Sequence, residues 1–190
     1  MTDRARGELT PEELDDLLRV AEESVHRAVR GRRWLPEPQD HPEAVRRPGA
    51  TFVTLRRGGR LRGCIGTLEA TEPLVVAVAD RARAAALADP RFLPVEPGEL
   101  DGLEVSVSVL SLMEPFPVRS WDELRDALRT GVDGLVVEAG YHRATFLPSV
   151  WEDLPDPAAF LDALWRKAGL APRAWPAGIR ISRYTAQHAG

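Results

Sequence analysis

Residues 60–69 read R-L-R-G-C-I-G-T-L-E, and Cys64 is the only cysteine among 190 residues. A thiol set between Gly63 and Gly66, two places after Arg62, has two chemical readings. As a nucleophile, Cys64 would have its thiolate stabilised by the neighbouring guanidinium, and the glycines would leave a substrate room to reach the sulfur. As a packed residue, it would be a small apolar group under a helix, with Gly63 and Gly66 admitting a close neighbouring backbone. A nucleophile needs a base, and none stands near in sequence. His142 is a candidate only if the fold brings it close, and its alternative is a surface histidine on a hairpin. That shortage favours packing for Cys64 and leaves Arg62 a role of its own: opposite Thr54, it would bind a carboxylate or phosphate.

Other chemistry is thin. One cysteine forms no internal disulfide and supports no thiolate-rich zinc site. The four histidines, His26, His41, His142 and His188, lie far apart with none at i, i+4 spacing, so no metal and no cofactor is expected. Ser106, Ser108 and Thr145 lack a Ser-His-Asp context, and Asp133, between Val132 and Gly134, reads as a turn residue. Arg91 follows a helix end, where it would tie down carbonyls. The five tryptophans are scattered without a repeat, which suits core positions better than a stacking platform. A net charge of −4 with interspersed signs argues against duplex nucleic acid. No window of about 20 apolar residues could span a bilayer, and the charged start M-T-D-R-A-R-G-E-L has no secretory pattern, so a cytoplasmic location is expected.

The elements that must position these residues are legible in part. Thr10-Pro11-Glu12-Glu13 predicts a capped helix start, followed by the stripe Leu14, Leu17, Leu18, Ala21, Val25, Ala28 and a stop at Gly31. Residues 32–50, rich in proline, form a loop too long for a mere connector, either a mobile lid or a covering flap. From Thr51 the period becomes 2 and a hairpin follows. A two-residue Gly58-Gly59 turn would oppose apolar and charged residues, so a three-residue Arg57-Gly58-Gly59 loop is preferred, pairing Leu55 with Leu61, Val53 with Gly63 and Thr51 with Ile65. The other face then sets Thr54 opposite Arg62 and Phe52 opposite Cys64, with thiol and guanidinium pointing the same way.

A second helix opens at Thr71-Glu72-Pro73 and breaks at Asp89-Pro90, its alanines permitting close approach to a sheet. Residues 103–111 alternate strictly as a strand. Ser120 caps a helix ending at Gly131, residues 134–147 read as a hairpin turning at Ala139-Gly140, Asp156-Pro157 opens a helix stopped by Gly169, and residues 179–184 add a strand. Helices and hairpins alternate without a β-α-β rhythm, so the fold class is α+β with a mainly antiparallel sheet and flanking helices.

These stretches resemble the AMMECR domain family, also called protein A of the AmmeMemoRadiSam system. The matching segments are Leu61-Arg62-Gly63-Cys64-Ile65-Gly66, Asp89-Pro90-Arg91-Phe92, Val105 to Ser111, residues 131–135, residues 145–151 and residues 167–170, in the family's order over nearly the whole chain. The end, residues 179–190, departs from the usual aromatic and acidic family ending. The resemblance implies a single domain over residues 1–190, with a larger and a smaller subdomain and a cleft between them. It also implies kinship to sheet folds that bind nucleic acids, nucleotides or peptides, and association with Memo-like and radical-SAM proteins. It implies no particular reaction. The expected function is a cleft that binds a small anionic ligand, nucleotide or peptide through Arg62, Thr54, Gly63 and Gly66. The alternatives are a thiol enzyme using Cys64 and a non-catalytic interaction scaffold.

Overall fold

The computed structural model describes residues 8–190, so most of the N-terminal stretch read for a secretory signal lies outside the described residues. Two compact units divide the chain, one running to Leu110 and taking back Gln187–Gly190, the other spanning Ser111–Ala186.

The first unit is two helices on one face of a four-stranded sheet. Helix α1 (Pro11–Val29) starts as its sequence dictates: the Thr10 hydroxyl accepts from the Glu13 amide and the Glu13 carboxylate accepts from the Thr10 amide. Its buried stripe is wider than the aliphatic pattern indicated, taking in Val20 and also Ser24, whose hydroxyl donates to the Ala79 carbonyl at 2.6 Å. That bond lets a polar side chain sit in the seam between helices without an unmade hydrogen bond. Helix α3 (Leu74–Leu87) buries Ala77, Ala79, Ala82, Ala85 and Ala86, and these small residues bring its backbone close to the sheet.

Strands β1 (Thr51–Arg57), β2 (Arg60–Thr67), β3 (Leu103–Leu110) and β8 (Ala186–Ala189) run in the order β2-β1-β3-β8. Val53, Leu55, Val107 and Val109 face the helices and share a core with Leu17, Val25, Val75 and Val78. Each fully buried aliphatic side chain contributes about 1.5–3 kcal/mol.

Residues 32–50 are a packed flap with its own short helix α2 (Glu43–Arg46). Val45 is fully buried in the helical core, His41 Nδ1 lies 2.7 Å from Asp16 on α1, and the Leu74 amide donates to the Arg47 carbonyl. The flap therefore covers the helices, where Val45 anchors it.

Strand β8 is unpredicted, and it completes the sheet. Gln187 clasps Leu9 in both directions, donating to its carbonyl at 2.9 Å and accepting from its amide at 2.8 Å, so the chain end fixes the entry to α1.

The second unit carries strands β4 (Glu114–Pro115), β5 (Gly134–Ala139), β6 (His142–Phe146) and β7 (Arg180–Tyr184) in the order β4-β7-β5-β6, with helices α4 (Trp121–Ala127) and α5 (Pro157–Ala168). Trp151 stacks on Phe160 at 3.9 Å within its core. Helix α4 ends four residues before Gly131, because Arg129 turns back and gives its amide and guanidinium to the buried Asp133. The hairpin turns at Gly140-Tyr141, one residue later than predicted, with Gly140 at φ +60°. The Tyr184 hydroxyl sits 2.7 Å from that of Thr145, and burial pushes it up to about 12. The fold is α+β with antiparallel strand pairing, as the sequence pattern indicates.

Candidate functional site

The β1–β2 hairpin that carries Cys64 differs from expectation in a way that decides its chemistry. Gly58 and Gly59 both adopt left-handed backbone, at φ +55° and +73°, forming a two-residue turn whose twist matches the strands. Such a turn puts Arg57 opposite Arg60 and Arg56 opposite Leu61. A bulge then inserts one extra residue, Arg62, before Leu55 pairs with Gly63, Thr54 with Cys64 and Val53 with Ile65. The bulge restores the alternation that a two-residue turn alone would break, so Val53 and Leu55 still face the helices, while Leu61 pairs with Arg56 and is exposed. The predicted partners are each displaced by two: Thr54 stands opposite Cys64, not Arg62, and Phe52 opposite Gly66.

Arg62 is fully employed within the fold. Its Nε and Nη2 hold Glu99 bidentately at 2.8 and 2.9 Å, while Nη1 and Nη2 donate to the carbonyls of Leu93 and Pro94. Glu99 lies at about 2, well below the usual carboxylate range, because the Arg62 guanidinium and the Glu96 amide stabilise its charged form. The Arg62 guanidinium, read from the sequence as an anion binder, here fastens residues 93–99 to the hairpin. Replacing Glu99 by Gln should lower stability by about 1–2 kcal/mol, since a charge-assisted fork becomes a single neutral acceptor. Urea denaturation measures this.

The guanidinium beside Cys64 is instead that of Arg91. β2 is an edge strand, and its exposed peptide groups need partners. The Asp89 carboxylate accepts the Cys64 amide at 2.8 Å, and Arg91 Nη2 donates to the Cys64 carbonyl at 3.3 Å. Arg91 also grips Asp89 through Nε and Nη2, at 3.0 and 2.7 Å, and Asp89 takes the Arg91 amide. The Asp89 side chain is only 2% exposed, and the Arg91 guanidinium, with the Cys64 amide, drives it well below the ordinary carboxylate range. The D-P-R-F motif thus caps the R-G-C edge at both polar groups of one residue. Arg91, expected to tie down helix carbonyls, ties down a strand instead.

The two motif glycines are filled. A Cβ on Gly63 would stand 2.2 Å from the Ala85 carbonyl of α3, and one on Gly66 would stand 2.2 Å from the Phe52 ring. The room beside these glycines, expected for a ligand's approach, is taken up at the Cβ positions by helix backbone and an aromatic ring.

The sheet face turned away from the helices carries a row of polar side chains, partly exposed at Thr54, Cys64 and Ser106 and buried at Ser108. The partly exposed thiol of Cys64 accepts a hydrogen bond from the Thr54 hydroxyl at 3.4 Å, and Thr54 is flanked on its other side by Ser106. One step along, Ser108 stands opposite Phe52, and its hydroxyl lies 3.0 Å from His188 Nδ1 on β8. Ser106 and Ser108 are visible in the sequence as the polar side of an alternating strand. His188 was not identifiable as a site residue, because nothing in A-Q-H-A marks a strand. His142, the sequence's candidate base, lies in the second unit with Nδ1 2.8 Å from the Ala168 carbonyl, where it caps α5. Among the described residues no group of three or more His, Cys, Asp or Glu is placed to hold one metal ion, and no helix is long and apolar enough to cross a membrane.

Fold and site together define an α+β protein whose single-thiol edge strand is clamped by two arginine–carboxylate pairs. The AMMECR1 family model matches residues 18–189, and the chain belongs to that family. It is 40% identical to a protein of Methanothermobacter thermautotrophicus over 94% of each chain. It is 41% identical to one of Thermofilum pendens, over 95% of this chain and 91% of the other. The crystal structure of uncharacterized protein PH0010 from Pyrococcus horikoshii superposes with a TM-score of 0.87 at 33% identity, covering 95% of this chain and 92% of that one.

Proposed function

We propose that the sheet face bearing Cys64 and Thr54 is a recognition surface for a small anionic ligand, a nucleotide or an extended peptide. In this reading the protein is an accessory component of a modification system that works with Memo-like and radical-SAM proteins. The partner class is carried over from the family resemblance, and the surface is argued from one observation. Both backbone polar groups of Cys64 are locked by Asp89 and Arg91, so a partly exposed sulfur and the Thr54 hydroxyl are held rigidly on a polar face. Polar groups fixed in advance lose little entropy when a ligand arrives. Ser106 extends the row.

A second reading, a thiol enzyme, draws on the same hydroxyl, since a donor aimed at sulfur also stabilises a thiolate. Recognition is favoured because the hydrogen bond at the sulfur comes from an alcohol and not from a base.

The test is a titration by NMR with AMP, inorganic phosphate and a short capped peptide in turn. At least one probe should shift the amides of residues 52–54, 64 and 106, and Thr54→Val should weaken it about fivefold, the worth of one hydrogen bond, without changing Tm. Shifts confined to other residues, or an unaltered affinity in Thr54→Val, would refute the recognition surface. Iodoacetamide labelling of folded Cys64 faster than of free cysteine would move the conclusion to the enzyme.

A further inference from the structure

The turn of the β1–β2 hairpin carries a charge arrangement that is only weakly compensated within the fold. Arg57 and Arg60 are cross-strand partners, both exposed, on either side of Gly58-Gly59. Like charges directly opposed in a sheet destabilise it. Compensation is weak: Arg57 reaches Glu99 only at 3.7 Å, and that carboxylate is already held bidentately by Arg62. Arg56, beside them, is opposite Leu61 on one strand and Glu104 on the other, and neither Arg56 nor Arg60 makes an ion pair among the described residues. Two exposed arginines, Arg57 and Arg60, therefore share one face of the tip, with Arg56 on the other, in a chain whose net charge is −4. A Cβ on either turn glycine would meet nothing within 4 Å, so the space around the tip is open.

We infer that this tip docks an acidic segment of a partner protein, seating a carboxylate between Arg57 and Arg60. Planar forks suit carboxylates bidentately, and arginine is enriched where protein surfaces bind most strongly. Leu61, 38% exposed, pairs with Arg56 on the other face of the ribbon and takes no part in this seat. Single-stranded nucleic acid fits less well because it asks for rings to stack on. The ring of this hairpin, Phe52, lies at its far end against Gly66. The tip is independent of the Cys64 face, and Cys64→Ser should leave its binding unchanged.

Fluorescence anisotropy with a labelled Glu-rich peptide, set against a labelled oligothymidylate, decides the matter. Wild type should bind the peptide at low salt and release it as salt rises, and Arg60→Glu should weaken binding about tenfold or more. The same substitution places opposite charges across the turn, so Tm should hold or rise. That combination separates docking from a role in the fold. Peptide binding that is absent at low salt or undiminished in Arg60→Glu, tighter binding of the oligothymidylate, or a lowered Tm in that variant would each overturn the proposal.

Discussion

Replacing Asp89 by Asn should cost the protein about 3 kcal/mol, a fall in Tm of roughly 6–12 °C for a chain of this size. Four donors converge on that carboxylate: the Cys64 amide, the Arg91 amide and two guanidinium nitrogens. Asparagine offers one oxygen and two N–H groups, so one of those donors meets another donor in a site from which water is almost excluded. The loss should follow pH with a definite sign. Asp89 is held well below its ordinary 3.8, so its contribution is complete above that value and disappears as pH falls through 4 and below. Urea denaturation should show wild type and Asp89→Asn far apart at neutral pH and converging in acid, with the Cys64 amide losing hydrogen-exchange protection in the variant. A gap that stays constant as pH falls through this range would mean that the carboxylate's charge is not what holds the edge.

That clamp marks the limit of what the chain announces about itself. Local rules sufficed where the cause is local: the Thr10–Glu13 capping box, the alternation of residues 103–111 and the Asp156 and Gly169 ends of α5 can each be read within a few residues. The hairpin shows the next level of difficulty. Face assignment holds for Val53, Leu55 and Cys64 because side-chain parity is a strong constraint, but the register differs and Leu61, expected opposite Leu55, is exposed opposite Arg56. A bulge at Arg62 and a three-residue loop both reconcile glycine turn and apolar face, and alternation alone does not choose between them. The partners of Arg62 and Cys64 were illegible for another reason. Glu99 lies 37 residues from Arg62, and Asp89 lies 25 from Cys64, and their pairing depends on how α3 returns the chain to the edge of β2. His188 lay further still from reading, since a four-residue strand acquires meaning only from the sheet it joins.

Those same contacts give the motif's glycines their own expected result. Gly63→Ala should destabilise by about 3 kcal/mol or more, at the upper end for overpacking, because the atom in the way is the Ala85 carbonyl oxygen, part of a helix backbone that no rotamer change can move. Relief requires α3 to lift from the sheet along the seam where Ala82, Ala85 and Ala86 bring it close. Gly66→Ala meets a ring and the Thr51 carbonyl, at 2.2 and 2.5 Å, and Phe52 can give way only in part. Gly58→Ala, in open space but at φ +55°, should cost only about 1 kcal/mol, the strain of a left-handed alanine. Thermal melts of the three variants therefore rank the causes: helix backbone above ring, ring above turn. If Gly63→Ala melted like wild type, the glycine would be there to admit a ligand and the packing account of L-R-G-C-I-G would fail. If it melts early, the sulfur of Cys64 owes its position to a strand pressed against α3 on one side and gripped at its edge by Asp89 and Arg91, with the polar face as the direction left to a ligand.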